Sequence, residues 1–216
     1  VAGVGIRGDR ALKGLFILGL TGPSGAGKSE VARLLAEKGI PLVDADALVR
    51  EVQKPGSPCL KALADAFSSA ILRPDGSLDR GKLAELAFGS PEQTQRLNRI
   101  VHPAVIALSE ERLRQAADAG ARAAVLDAPL LFESGMDRLC GRTAAVLAPA
   151  AERLRRIRQR DGITEEQARI RMAAQPADEY YIARASLVIR NDGSAAQLRA
   201  AAAELAEKME RWSREG

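Results

Sequence analysis

The sequence predicts an α/β fold: a five-stranded parallel sheet with helices on both faces, a helical insertion and a helical lid. Strand-like and helix-like segments alternate along the chain, the pattern of parallel strands joined by covering helices. Gly22-Pro23-Ser24-Gly25-Ala26-Gly27-Lys28-Ser29 fits G-x-x-x-x-G-K-[ST], between an apolar run at Leu15–Leu20 and a helical one at Glu30–Leu35. Residues 47–122 carry helical signals and no strand, too long a stretch for a simple crossover.

The first strand, residues 15–20, feeds the Gly-rich loop, so the three-layer α/β/α fold is expected to be of the P-loop NTPase type. Gly22, Gly25 and Gly27 let backbone N–H groups turn inward around a phosphate, and the helix behind them points its positive end at the same place. Lys28 adds a cation for the β- and γ-phosphates, and the Ser29 hydroxyl a ligand for Mg²⁺. The chain is therefore read as binding a nucleoside triphosphate. The second strand, Pro41–Val43, runs into Asp44 and Asp46, where doubly wound sheets place their ligands. A carboxylate there takes the proton from an attacking hydroxyl or holds magnesium waters, although Asp also caps helices. Of the two, Asp46 is preferred for the γ-phosphate side.

Within the insertion, Ser90-Pro91-Glu92-Gln93 reads as a helix start, and the only histidine, His102, reads as a structural or capping group. The third strand, Ala123–Leu126, ends at Asp127, the position of a Walker-B-like carboxylate. Pro129 stops that strand and leaves Leu130-Leu131-Phe132 as either core or the wall of a substrate pocket. The fourth strand, Thr143–Leu147, precedes an Arg-rich helix in which Arg153, Arg156 and Arg160 share one face at i, i+3 and i+7. Arg155 and Arg158 lie on other faces. Phosphoryl transfer concentrates charge on the equatorial oxygens, so the shared face is read as a lid and not as a solvated surface. Gly162 breaks this helix and Thr164-Glu165-Glu166-Gln167 starts the next; a fifth strand, Leu187–Ile189, and a third box, Ser194–Gln197, complete the chain.

Composition bounds the function. The chain has 216 residues, 46% of them hydrophobic, 28% charged and 3% aromatic, with a net charge of +4. Arginines concentrate at 153–160 and there is little to stack bases on, which favours an anionic small molecule over nucleic acid. Cys59 and Cys140 lack metal-ligand spacing and read as reduced thiols of a cytoplasmic protein. No apolar run is long enough to span a membrane. Residues 1–14 read as a leader outside the fold, and 15–216 as one domain that is monomeric or weakly homo-oligomeric. Its core is expected at 15–50, 120–148 and 184–216, its helical acceptor subdomain at about 51–119 and its lid at about 149–183.

An ordered set of motifs resembles the dephospho-CoA kinase family. Besides the P-loop, it comprises Asp44–Arg50, Pro55-Gly56-Ser57-Pro58, Asp75–Arg80 and Leu97–Pro103. Asp127–Glu133, Arg160-Asp161-Gly162 and Asn191-Asp192-Gly193 follow in order. The resemblance implies Mg²⁺-dependent transfer of the ATP γ-phosphate to the ribose 3′-hydroxyl of dephospho-CoA, on a fold like that of nucleoside monophosphate kinases. It implies catalytic roles for Lys28, Asp46 and Arg160. It places Gly22, Gly25, Ala26, Gly27, Lys28, Ser29, Glu30, Arg156 and Asn191 at ATP, with Asn191 near the adenine. The acceptor side would hold Asp44, Asp46, Arg50, His102, Pro103, Asp127, Pro129 and Leu130, with Ser29, and Asp127 through water, at the metal. Three features depart from the pattern: Pro23-Ser24 and Ala26 in the loop, Glu30 for a common Thr, and Ser186 for a common Asp. Since phosphate is held there by backbone amides, altered affinity and not lost function is expected. The alternatives are a kinase of the same architecture with a nucleoside, sugar or shikimate-like acceptor, and a regulatory or mechanical NTPase. Against the latter, there is no Asn-Lys-x-Asp motif.

Overall fold

The run Phe16–Thr21 forms strand β1, buried along nearly its whole length. Both of its faces are apolar because both are covered, as in parallel sheets generally. The computed structural model describes residues 14–215; the leader expected over 1–14 lies, apart from Gly14, outside them. Helix α1 (Lys28–Glu37) leads to β2 (Leu42–Asp44), and then α2 (Ala45–Val52), α3 (Pro58–Ala66), α4 (Arg80–Ala87) and α5 (Pro91–Asp118) follow. The chain returns through β3 (Ala123–Asp127) and β4 (Arg142–Leu147). It continues with α6 (Ala150–Asp161), α7 (Glu165–Ala173), α8 (Asp178–Ile182), β5 (Leu187–Arg190) and α9 (Ala195–Glu215).

The five-stranded parallel sheet has the order β2-β3-β1-β4-β5. Its register decides what meets at its C-terminal edge. Leu20 pairs with Asp127, and Leu147 with Arg190, so the start of the P-loop, Asp127 and Asn191 all leave the sheet at one edge. Alternation along the strands sends Leu18, Leu20, Val125, Ala144 and Val146 to one face, where they pack with Val31 and Leu35 of α1 and Leu198, Leu205 and Met209 of α9. Ala145 and Leu147 point to the other face and meet Tyr181 of α8. Leu18, which is fully buried, illustrates the scale: trimming such a leucine to alanine costs about 2–5 kcal/mol.

The described residues divide into two compact units, 14–43 with 113–215, and 44–112. The segment expected to form the lid, 149–183, thus belongs with the sheet. The second unit is helical, with Leu48, Leu60, Leu63, Ile71, Leu83 and Val101 among its buried residues. Side chains start its helices: Asp44 accepts from the amides of Asp46 and Ala47, Ser57 from Leu60, and Asp79 from Gly81 and Lys82. The insertion is not purely helical, because Leu72 and Leu78 form an isolated antiparallel bridge. Pro103 does not end α5, which runs through it.

Candidate active site

The P-loop is built by backbone geometry. Gly22 has φ +144° and Gly27, the N-cap of α1, has φ +99°, values that side-chain-bearing residues rarely adopt. Space is closed as well as torsion. A Cβ on Gly22 would lie 2.3 Å from the Val146 carbonyl, and one on Gly27 would lie 2.2 Å from Asn191 Nδ2. The first amides of α1, at Lys28 and Ser29, have no helical carbonyl to bond and face outward from the helix start.

The loop's carbonyls are held from outside. Arg153 Nε donates to Ser24 O at 3.0 Å, Arg156 Nη1 to Gly25 O at 3.3 Å, and Asn191 Nδ2 to Ala26 O at 2.8 Å. These three oxygens are engaged by donors, and the Ser24 and Ala26 amides are bonded to Gln175 Oε1 and Pro23 O, so the loop is held fixed ahead of the first amides of α1, which suit an anion. Lys28 forms an ion pair with Asp127, the two side chains only 14% and 9% exposed. Thr21 Oγ1 donates to Pro129 O at 3.1 Å and ties the end of β1 to the turn after β3.

Helix α6 presents the three arginines of the shared face to the loop, each differently. Arg153 is buried, and burial draws its pKa down while Asp178 and Tyr181 oppose the shift. Arg156 is partly buried against Gly25 and Ala26. Arg160 is exposed. It grips Asp161 through two hydrogen bonds of 2.7 and 3.0 Å and reaches Ser24 Oγ at 3.2 Å. Asp161 also pairs with Arg171 of α7, and these guanidiniums, Arg160 first, hold its carboxyl below the usual range. Arg155 and Arg158 turn away and pair with Glu152 and Glu165.

The other expected residues fall as follows. Ser29 is exposed at the start of α1, and the Glu30 carboxylate is bonded to Arg33, which leaves only its backbone for the loop. Arg33 holds the Glu30 carboxyl below its ordinary value. Asp44 is the cap of α2, while Asp46 and Arg50 stand exposed on that helix. His102 is half-buried and Pro103 exposed on α5; these five belong to the helical unit. The Leu130–Phe132 wall splits: Leu131 is core, Leu130 is 53% exposed, and Phe132 packs edge-on to Tyr180. Sequence reasoning passed over Gln175 and Asp178. Gln175 Oε1 accepts from Ser24 N at 3.0 Å, and Asp178 lies 3.5 Å from Arg153 Nη1. Their one sequence signal is the stop at Gln175-Pro176 after α7, which carries no chemistry by itself.

The Asp127 carboxylate and the Ser29 hydroxyl are hard oxygen groups of the kind that Mg²⁺ takes alongside phosphate and water. No cluster of three or more His, Cys, Asp or Glu residues able to hold a metal occurs among the described residues, so no all-protein metal cage is built. Nor is any described helix long and apolar enough to cross a membrane.

Comparison with known proteins gives the family. The family model for dephospho-CoA kinase matches residues 16–197. A dephospho-CoA kinase of Corynebacterium glutamicum is 45% identical over 87% of this chain and 94% of its own. One from Streptomyces avermitilis is 48% identical over 81% and 84%. A crystal structure from Thermus thermophilus, 38% identical, matches with a TM-score of 0.75 over 89% of this chain and 97% of its own. A Campylobacter jejuni dephospho-CoA kinase at 22% identity and TM-score 0.61 shares the fold. The chain belongs to the dephospho-CoA kinase family.

Proposed function

We propose that this chain transfers the γ-phosphate of ATP to the ribose 3′-hydroxyl of dephospho-CoA, releasing CoA and ADP. The observation that carries the reading is the P-loop whose Ser24, Gly25 and Ala26 carbonyls are held outward by Arg153, Arg156 and Asn191. The family membership supplies the acceptor.

In the proposed reaction the triphosphate lies along the loop amides, with Lys28 moving from Asp127 to the β- and γ-phosphate oxygens. Asp46, on α2 and released from capping by Asp44, accepts the proton of the attacking 3′-hydroxyl. The new O–P bond forms as the bond from γ-phosphorus to the β–γ bridging oxygen breaks, and the electron pair leaves with ADP. Arg156 and Arg160 neutralise the charge that spreads over the transferred group. Ser29 and, through water, Asp127 would hold Mg²⁺. When bound, that ion would supply positive charge that offsets the charge of the phosphates. Asp44, Arg50, His102, Pro103, Pro129 and Leu130 are assigned to the acceptor, and residues 149–183 to a lid that excludes water from the transfer.

The test is ADP production from Mg-ATP with and without dephospho-CoA, with the product identified by mass. One phosphate added to dephospho-CoA, strictly dependent on the acceptor, supports the reading. Turnover with another acceptor, or hydrolysis without any, overturns it.

A further inference from the structure

We infer that Gln175 is a positioning residue for the P-loop: its side-chain oxygen pins Ser24 to the lid segment and fixes the loop for nucleotide. The inference rests on the kinase reading for its consequence, but its geometry is independent of the acceptor.

Ser24 is held at three points. Its N–H donates to Gln175 Oε1 at 3.0 Å, its carbonyl accepts from Arg153 Nε at 3.0 Å, and its hydroxyl meets Arg160 Nη2 at 3.2 Å. Gln175 Oε1 accepts a second bond, from Arg153 Nη2 at 3.3 Å. Both groups facing that atom are obligate donors, an amide and a guanidinium, so the oxygen and not the NH₂ must face them. Arg153 closes the ring, with a side chain 8% exposed and Nη1 turned to Asp178 at 3.5 Å. Its fork is therefore filled by the protein, which separates it from Arg156 and Arg160 on the same helical face.

The consequence follows from peptide orientation. With the N–H on one side of Ser24 and the C=O on the other both anchored, neither flanking peptide is free to flip. Flipping the Ser24–Gly25 peptide would turn the Ser24 carbonyl away from Arg153 toward the N–H side of the loop, where it repels an anion. Removing the Gln175 oxygen leaves the Ser24 amide without its partner and Arg153 with one bond fewer. The loop then loses preorganisation while the sheet and its core stay as they are.

Three variants test this: Gln175→Met, which keeps the volume without the acceptor; Gln175→Glu, which keeps an acceptor for both donors; and Gln175→Asn, which keeps the amide but withdraws it by one methylene. For Met and Asn the expected loss is about 10-fold in kcat/KM for ATP, the scale of one buried hydrogen bond with an orphaned donor. KM for dephospho-CoA should stay within about twofold, and Gln175→Glu within about threefold of the wild type on every parameter. Affinity for Mg-ADP, measured by calorimetry, should follow the same order. Because that measurement needs no turnover, it tests the latch even if dephospho-CoA proves to be the wrong acceptor, an outcome that the wild-type assay alone reveals. Wild-type ATP and ADP parameters in Gln175→Met overturn the inference. So does equal damage in Met and Glu, which would mean that the residue only fills space, or a loss that falls on KM for dephospho-CoA.

Discussion

Replacing Asp127 with Asn isolates the charge that faces Lys28 in the P-loop. The two side chains are 14% and 9% exposed, so the pair is largely shielded from water. Two unit charges about 4 Å apart attract by roughly 4 kcal/mol at an effective dielectric constant near 20. Losing one partner of a buried pair costs about 3–5 kcal/mol, because the remaining charge stays desolvated. Asparagine retains an acceptor oxygen and the lysine stem is flexible, which places the expected loss at about 3 kcal/mol without nucleotide. For a chain of this length that lowers the melting temperature by about 6–12 °C. Nucleotide should reverse the sign of the comparison. Lys28 no longer has to leave a carboxylate, and one negative charge is gone, so metal-free ATP should bind the variant at least as tightly as the wild type. Turnover with Mg-ATP should fall by more than about 10²-fold, since the carboxylate assigned to the metal waters is missing. Denaturation with and without nucleotide, calorimetry with metal-free ATP, and the ADP-release assay read the three arms. Unchanged stability of the nucleotide-free protein, within about 0.5 kcal/mol, together with unchanged turnover would refute the argument that the pair is a buried, functional one.

Asp46→Asn should lower kcat by roughly 10²–10⁴-fold with nucleotide affinity nearly constant, as removal of a general base does; full activity would remove Asp46 from that role. Arg160→Ala should reduce kcat more than it weakens ATP binding, because the exposed guanidinium is held by Asp161 and Ser24 before phosphate arrives; a purely surface role predicts no kinetic change. Burial pushes the Cys140 thiol up to about 12 and the Cys59 thiol up as well. A raised folded pKa stabilises the native state fully below the unfolded value near 9, and that contribution is lost as pH rises towards 12. Both thiols should therefore be silent to a disulfide reagent at pH 8 in the folded protein and react together in denaturant; a fast native-state reaction at Cys140 would show that the burial argument fails there.

The strands were legible because each is a short apolar run, those of β1, β3 and β4 buried on both faces, and their observed ends differ from the expected ones by only a residue or so. The register was not legible, yet it is what sets Asp127 beside Leu20 at the root of the P-loop. The arginine face shows a further limit. Spacing of i, i+3 and i+7 correctly grouped Arg153, Arg156 and Arg160, but periodicity only says which side chains point the same way. It is blind to what they point at. Arg153 meets Ser24, Gln175 and Asp178 and is consumed by the fold, whereas Arg160 meets one hydroxyl and one carboxylate and stays exposed. Asp44 and Asp46 pose the same problem on a smaller scale, since either could have capped α2 by residue type alone. Asp44 Oδ1 accepts the amides two and three residues on, and so occupies the cap. Asn191 was expected near the adenine through resemblance; its amide bonds the Ala26 carbonyl and bars any side chain from Gly27, a contact that the resemblance did not indicate. For the arginines and Asn191, local pattern fixed the element, while contacts between residues far apart in the chain set what each side chain meets. This is why Gln175, with no periodicity of its own and a partner 151 positions away, emerges only from the folded chain.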